Sequence, residues 1–388
     1  MSDTTATATT TTRGGTASNP NKPVLKVGNV SKTFPISAWL FRKALTLTAL
    51  DDINLTVANG ETLGIVGESG CGKSTLGRCI LQLIKPDEGS VELYGQELTT
   101  LPTEQMRMMR QDLQIIFQDP LASLNPRMTV GEIIGDPLRV FLSKTHMSKA
   151  ERRKRVIKMM EAVGLLPEMI NRYPHEFSGG QAQRIGIARA LITEPKLVVC
   201  DEPVSALDVS IQAQILNLLA DLKDEFGLTL VFISHDLSVV RHVSDRILVL
   251  YLGQIVESAP REDLYHDPKH PYTKALLTAI PIADPKKARE RTIEGLIGEV
   301  PSPISPPSGC RFRTRCPYAI DKCAEERPPL EQAGFNRNVA CIRWREIENG
   351  TAKPRHRDPT AGASPADTSA ASLPDHEGPK AFPTLEPR

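Results

Sequence analysis

The 388-residue sequence predicts an α/β fold. Three observations carry that prediction. Short β-rich runs alternate with helical patterns from Val24 to about Ala259. One run, ETLGIVG, ends in a glycine-rich turn that opens a helix. Two others, KLVVC and TLVFIS, are apolar throughout, as strands buried on both faces are. Strand–helix–strand alternation implies a parallel sheet with helices on both faces. At roughly 150 residues per domain, the length suggests about two to three domains. Hydrophobic residues make up 40% of the chain, enough for most of it to bury a core. Lys and Arg number 47 and Asp and Glu 46, so the net charge is +1. The basic excess from which nucleic-acid binders draw their affinity is missing, and no nucleic-acid partner is expected.

The segments follow in order. Residues 1–22 are rich in Thr and Ala with Gly, Asn and Pro, and read as a disordered tail. Their first stretch, MSDTTATATTTTRGG, lacks the apolar core of a secretory signal. No run reaches the ~18 apolar residues that span a bilayer. Residues 24–260 form the main domain. In STLGRCILQLI the positions Leu76, Cys79, Ile80, Leu83 and Ile84 make a helical stripe, and Ile211, Ile215, Leu218, Leu219 and Leu222 mark a second amphipathic helix. Residues 119–177 are rich in Met, Lys, Arg and Glu at helical spacing and read as an inserted helical subdomain. Residues 261–307 read as a linker with a helix and a stiff segment containing Pro301, Pro303, Pro306 and Pro307. Residues 308–346 form a small cysteine-bearing module, and 350–388 a second disordered tail.

The chemistry starts at GESGCGKST, Gly67 to Thr75, which fits G-x-x-x-x-G-K-S/T between a strand and a helix. Gly67, Gly70 and Gly72 permit backbone conformations closed to other residues, so successive N–H groups can form an anion nest at a helix N-terminus. Lys73 can reach the β- and γ-phosphates of a nucleotide, and Ser74 can hold Mg²⁺. Asp201, at the end of the apolar strand in LVVCDEP, can orient the same ion, and Glu202 can polarise an attacking water. A chance glycine turn and a solvent-facing acidic pair are the plainer alternatives. Their joint occurrence favours nucleotide hydrolysis.

With these residues in place, the chain resembles the nucleotide-binding subunits of ABC transporters. The similarity runs from residue 24 to about 260. FSGGQAQRIGIARAL resembles that family's signature segment, with Phe177 where Leu is usual and Ser178, Gly179, Gly180 and Gln181 intact. SALD, ending in Asp208, resembles the D-loop. Gln118 stands in the Q-loop position, His235 in the switch-histidine position, and Phe34 fits the aromatic that stacks on adenine. Phe34 also reads as a plain core residue, and Ser178 as a plain helix cap. The resemblance implies an ABC-type P-loop NTPase core, a mixed sheet flanked by helices, with an inserted helical subdomain and a small Cys-containing C-terminal extension. It implies ATP and Mg²⁺ as cofactors. Gly67, Ser69, Gly70, Gly72, Lys73, Ser74, Thr75 and Asp201 would bind the nucleotide, with Ser74, Gln118 and Asp201 around Mg²⁺. Glu202, His235 and Gln118 would be catalytic. It further implies two such domains head to tail, each ATP held by the P-loop of one and by Ser178 and Gly180 of the other.

Within the family, FQDPLASLNPRMTVGEII and DPKHPYTKALLTAIP resemble the ATP-binding subunits of bacterial dipeptide and oligopeptide importers. That branch implies a homologous ATP-binding subunit, two permease subunits and an extracytoplasmic substrate-binding protein as partners. It places the chain peripherally on the cytoplasmic face of the bacterial inner membrane. Related importers carry nickel or glutathione, so both remain alternatives to peptide. A non-transport ATPase of the same superfamily, acting on ribosomes or DNA, is the rival reading. Such proteins usually carry two cassettes or a long coiled-coil insert, and this chain has neither. GCRFRTRCPYAIDKC with VACIRW resembles the importer branch's C-terminal extension. Cys310, Cys316, Cys323 and Cys341 are separated by five, six and seventeen residues. These intervals lean toward an iron–sulfur (4Fe–4S) cluster, with zinc or no metal as alternatives. Arg311, Arg313 and Arg315 are expected to offset thiolate charge. Cys71 reads as a small residue tolerated in its loop, the alternative being a reactive thiol of lowered pKa.

Overall fold

The computed structural model describes residues 23–36, 45–141, 147–280 and 298–354. The expected tail 1–22, nearly all of the expected tail 350–388 and much of the expected linker lie outside the described residues. The strands in chain order are β1 (Leu25–Ile36), β2 (Leu45–Val57), β3 (Thr62–Val66), β4 (Glu88–Leu93), β5 (Gln96–Glu97), β6 (Leu113–Ile116), β7 (Leu197–Asp201), β8 (Thr229–Ile233), β9 (Arg246–Tyr251), β10 (Gln254–Pro260), β11 (Glu331–Gly334) and β12 (Arg337–Val339). Among the described residues they form an eight-stranded sheet, ordered β11-β12-β10-β9-β3-β8-β7-β6, and a four-stranded sheet, ordered β2-β1-β4-β5.

The larger sheet is mixed, as the resemblance implies, with the parallel part that the strand–helix alternation predicts at its centre. β6, β7, β8, β3 and β9 run parallel. β10, β12 and β11 extend them antiparallel, and the smaller sheet is antiparallel throughout. The physical difference is visible in burial. Every residue of β3, β7 and β8 is buried, as strands covered on both faces require. In the smaller sheet, β1 and β2 mix buried with exposed positions, as antiparallel strands with one wet face do.

Helix α1 (Lys73–Ile80) leaves the end of β3 and buries Leu76, Cys79 and Ile80. Gly77 lets it lie close to the sheet, since a Cβ there would come within 2.8 Å of Ile233 Cδ1. The stretch after Gln118 is helical. It holds helices Val130–Phe141 and Lys149–Ala162 and short 3₁₀ turns at Pro167–Asn171 and Pro174–Glu176. Ser148 and Glu151 form a reciprocal capping box at the start of the second helix. The helix Gly179–Leu191 follows and packs its buried face beneath these elements.

The cysteine module does not stand apart as a separate body. Val339 pairs with Glu257 and Asn338 with Ser258, so β12 adds directly to the main sheet. Phe312 is buried in the main core, its ring 5.3 Å from both Tyr251 and Tyr272. The described residues up to Lys353 belong to one compact unit. Among the described residues no helix is long and apolar enough to cross a membrane.

Candidate nucleotide site

The P-loop leaves β3 at Gly67 and enters α1 at Lys73. Gly67, Gly70 and Gly72 all have positive φ, at 155°, 77° and 105°. A Cβ at Gly72 would collide with the carbonyl oxygen of Ala49, so this position needs glycine for space and for conformation. Ser69 and Gly70 form the exposed tip of the loop. The Lys73 side chain is buried, and its Nζ donates to the carbonyls of Gly67 at 2.8 Å and Glu68 at 3.0 Å. The ammonium is therefore held inside the curve of the loop, where a phosphate chain would lie. Thr75 follows in the first turn of α1, half-buried.

Two side-chain contacts join distant segments at this point. Ser74 Oγ donates to Asp201 Oδ1 at 2.7 Å. That pair fits Mg²⁺, which takes one or two carboxylates and completes its shell with water and substrate phosphates. Glu202 Oε2 accepts from Gln118 Nε2 at 3.2 Å and faces His235 Nδ1 at 3.2 Å. The amide nitrogen of Gln118 is thus engaged, which leaves its carbonyl oxygen for a cation. Glu202 itself has φ of 48°, a left-handed conformation rare for a non-glycine residue. Its N–H donates to Ile233 O at 3.0 Å, and Ser205 Oγ donates to its carbonyl at 3.1 Å. Backbone strain of this kind persists where the surroundings over-determine it. Nothing in the sequence signalled it.

The remaining expected residues lie elsewhere. Ser178 is exposed and caps the helix Gly179–Leu191, in a capping box with Gln181: Gln181 N donates to Ser178 Oγ at 3.4 Å, and Ser178 N to Gln181 Oε1 at 3.1 Å. A Cβ on Gly180 would approach Ile211 Cγ2 to 2.6 Å, so the bare backbone lets helix Val209–Phe226 pack closely. Exposed Asp208 stands at the N-cap of that helix. Among the described residues, Ser178, Gly179, Gly180, Gln181 and Asp208 share no hydrogen bond with the Lys73–Ser74–Asp201–Glu202 constellation. Phe34 is half-buried near the end of β1, with Lys32 Nζ 5.5 Å from its ring centre.

The cysteines behave differently from part of the expectation. Cys71 is buried, and burial raises its pKa against the pull of Lys73, which corrects the alternative of a lowered, reactive thiol. Burial likewise pushes Cys79 up to about 11 and Cys200 up to about 12. Cys310, Cys316, Cys323 and Cys341 all line one small cavity of about 20 Å³. Burial, with the neighbouring thiols adding to it, pushes Cys310 up to about 11 and Cys316 and Cys341 up to about 12. Among the described residues no group of three or more His, Cys, Asp or Glu side chains is arranged to hold a metal ion. The arginines expected to offset thiolate charge are mostly engaged elsewhere. Arg311 bonds Leu252 O and Asp51, and Arg315 bonds Glu68 of the P-loop. Of the three, only Arg313 acts favourably on a thiolate, that of Cys310.

Comparisons with known proteins agree with this arrangement. The family described as ABC transporter matches residues 50–205, and the oligopeptide/dipeptide transporter C-terminal region matches residues 256–323. The second match crosses the expected boundary at 308, as the shared sheet does. The oligopeptide transport ATP-binding protein OppF of Escherichia coli is 57% identical over 325 residues, 83% of this chain and 96% of that one. A putative peptide import ATP-binding protein of Brucella ovis is 53% identical over 321 residues, 83% of this chain and 98% of that one. Among solved structures, the dimeric ATP-binding cassette MJ0796 bound to ADP and Pi aligns with a TM-score of 0.55 at 34% identity, covering 61% of this chain and 98% of that one. The P-loop joined to Asp201, the Gln118–Glu202–His235 cluster and these similarities together place the chain in the ABC transporter family of ATP-binding, ATP-hydrolysing subunits.

Proposed function

We propose that this chain energises the import of di- and oligopeptides by hydrolysing ATP at the site built on residues 67–75. One observation carries the hydrolytic assignment: Glu202 Oε2 is shared by Gln118 and His235, beside the Ser74–Asp201 pair. The P-loop N–H groups and Lys73 bind the phosphates. Ser74 and Asp201, with the Gln118 carbonyl, would hold Mg²⁺, which would supply charge neutralisation for the phosphate oxygens. Gln118 and His235 fix the Glu202 carboxylate from two sides, and Glu202 orients the attacking water and accepts its proton. His235 would contact the γ-phosphate.

Ser178, Gly179, Gly180, Gln181 and Asp208 face a second cassette. Among the described residues they share no hydrogen bond with the chain's own phosphate site, which supports this reading, as does the dimeric state of the similar MJ0796 cassette. The second cassette is a homologous ATP-binding subunit. Two permeases and an extracytoplasmic substrate-binding protein complete the assembly, with this chain peripheral on the cytoplasmic face of the inner membrane. The names of the relatives support peptide over nickel or glutathione. A 4Fe–4S cluster on Cys310, Cys316, Cys323 and Cys341 rests on the resemblance and on four thiolates sufficing for it. The thiols as placed do not fit it, since among the described residues no three such ligands are arranged to hold a metal and the cavity they line is about 20 Å³. Protein purified without oxygen and free of iron would refute that part.

The transport reading is tested in liposomes holding the chain with its partner ATPase, permeases and binding protein. ATP should drive uptake of labelled di- and oligopeptides. Hydrolysis with uptake of nickel or glutathione but no peptide would overturn the substrate class.

A further inference from the structure

The P-loop is tied to the cysteine module by one partly buried ion pair. Glu68 occupies a position where the phosphate-binding motif prescribes no residue. Arg315 Nη1 donates to Glu68 Oε2 at 2.6 Å, and Nη2 to Oε1 at 3.0 Å, a two-pronged contact. Arg315 precedes Cys316, is only 6% exposed, and lies 6.0 Å from the centre of the Tyr251 ring. The Glu68 backbone is held as well. Its N–H donates to Tyr272 Oη at 2.9 Å, and its carbonyl accepts from Lys73 Nζ at 3.0 Å. Residue 68 therefore links the phosphate-binding lysine to the C-terminal elements. The neighbouring loop repeats the link: Gly253 N–H donates to Cys71 O at 2.8 Å, and Arg311 bonds the carbonyl of Leu252.

A carboxylate inside an anion-binding loop opposes the triphosphate that the loop must hold. A forked guanidinium cancels that charge and fixes the carboxylate's direction, which an ammonium does only in part.

We propose that Arg315 is a positioning residue for ATP binding: from the cysteine module it neutralises Glu68 within the P-loop, so that the folded module sets the loop's affinity for triphosphate. This rests on residues 67–75 being the ATP loop and adds a second control over it. The module then serves as a charge-compensating brace for the nucleotide site, and any change that displaces Arg315 weakens ATP binding without touching a P-loop residue.

The test is calorimetric titration of the full-length chain with MgATP, with circular dichroism to confirm folding. R315Q should raise the ATP Kd about tenfold, the order expected for one unit charge felt through partly screened surroundings. Adding E68Q should return Kd to within about threefold of the native value, because the uncompensated charge is gone. A brace of purely structural kind would make the double variant as weak as R315Q or weaker. R315Q at native affinity, or a double variant no better than R315Q, overturns the proposal. Should R315Q fail to fold, R315K decides. It keeps the charge and should stay within about threefold, whereas a tenfold loss overturns charge compensation. A native chain that binds no ATP refutes the loop assignment itself, and this inference with it.

Discussion

Glu202 holds its carboxylate where two other side chains meet, on a backbone bent to φ of 48°. Glu202→Gln keeps the shape and one hydrogen-bonding oxygen but removes the proton acceptor. It should retain MgATP and hydrolyse it at least 10²-fold more slowly, measured as phosphate release beside nucleotide binding. Near-native turnover would remove Glu202 from its assigned role. Gly72 gives a prediction about space. Its φ of 105° and the Ala49 carbonyl both oppose a side chain. Gly72→Ala should lower stability by about 1–3 kcal/mol in urea unfolding and weaken ATP binding, since the loop must shift to admit the methyl. An unchanged unfolding midpoint would contradict this geometry.

Helix Pro271–Thr278 begins at His270, whose Nδ1 accepts from Tyr272 N at 3.1 Å. The imidazole is 1% exposed, and burial pushes its pKa from 6.5 down to about 3, against a hydrogen bond to Ala340 that favours the charged form. The folded protein thus keeps this histidine neutral while the unfolded chain protonates it near pH 6.5. Its contribution is complete above that value and is lost progressively as pH falls toward 3. Between pH 6 and 5, before most carboxylates titrate, stability should fall by about 1.2 kcal/mol from this group alone. Asn can cap the helix without titrating, so His270→Asn should flatten that slope. Unfolding free energy measured against pH checks it, and an equal slope in the variant would contradict it. The same helix places Tyr272 beneath Glu68, so its cap also seats the P-loop.

The whole molecule is not a cassette with an appendage. β12 lies along β10, Phe312 fills a core shared with Tyr251 and Tyr272, and Arg315 reaches the nucleotide loop. Deleting residues 308–388 would strip an edge from the main sheet and open the aromatic core. The truncated chain should aggregate or melt at least about 10 °C lower than the full chain, measured by thermal unfolding and size-exclusion chromatography. A truncated chain as stable as the full one would show the module to be dispensable for the cassette's fold.

A phosphate loop was legible at Gly67 to Thr75, and an acid pair for hydrolysis at Asp201 and Glu202, because these groups sit in short stretches whose chemistry dictates spacing; Gln118 and His235 were expected only from the family resemblance. A nest of N–H groups needs contiguous backbone, and a strand's end needs an apolar run before its acid. The order of β11, β12 and β10 left no such mark. Nor did the pairing of Glu68 with Arg315, 247 positions apart. An acid in a loop and a base beside a cysteine carry no local instruction to meet. Their contact exists because the last strands join the sheet's edge and lay the module across the P-loop. The amino-acid sequence alone therefore determined the nucleotide chemistry, whereas the charge balance inside that loop depends on long-range packing, which no short-range pattern encodes.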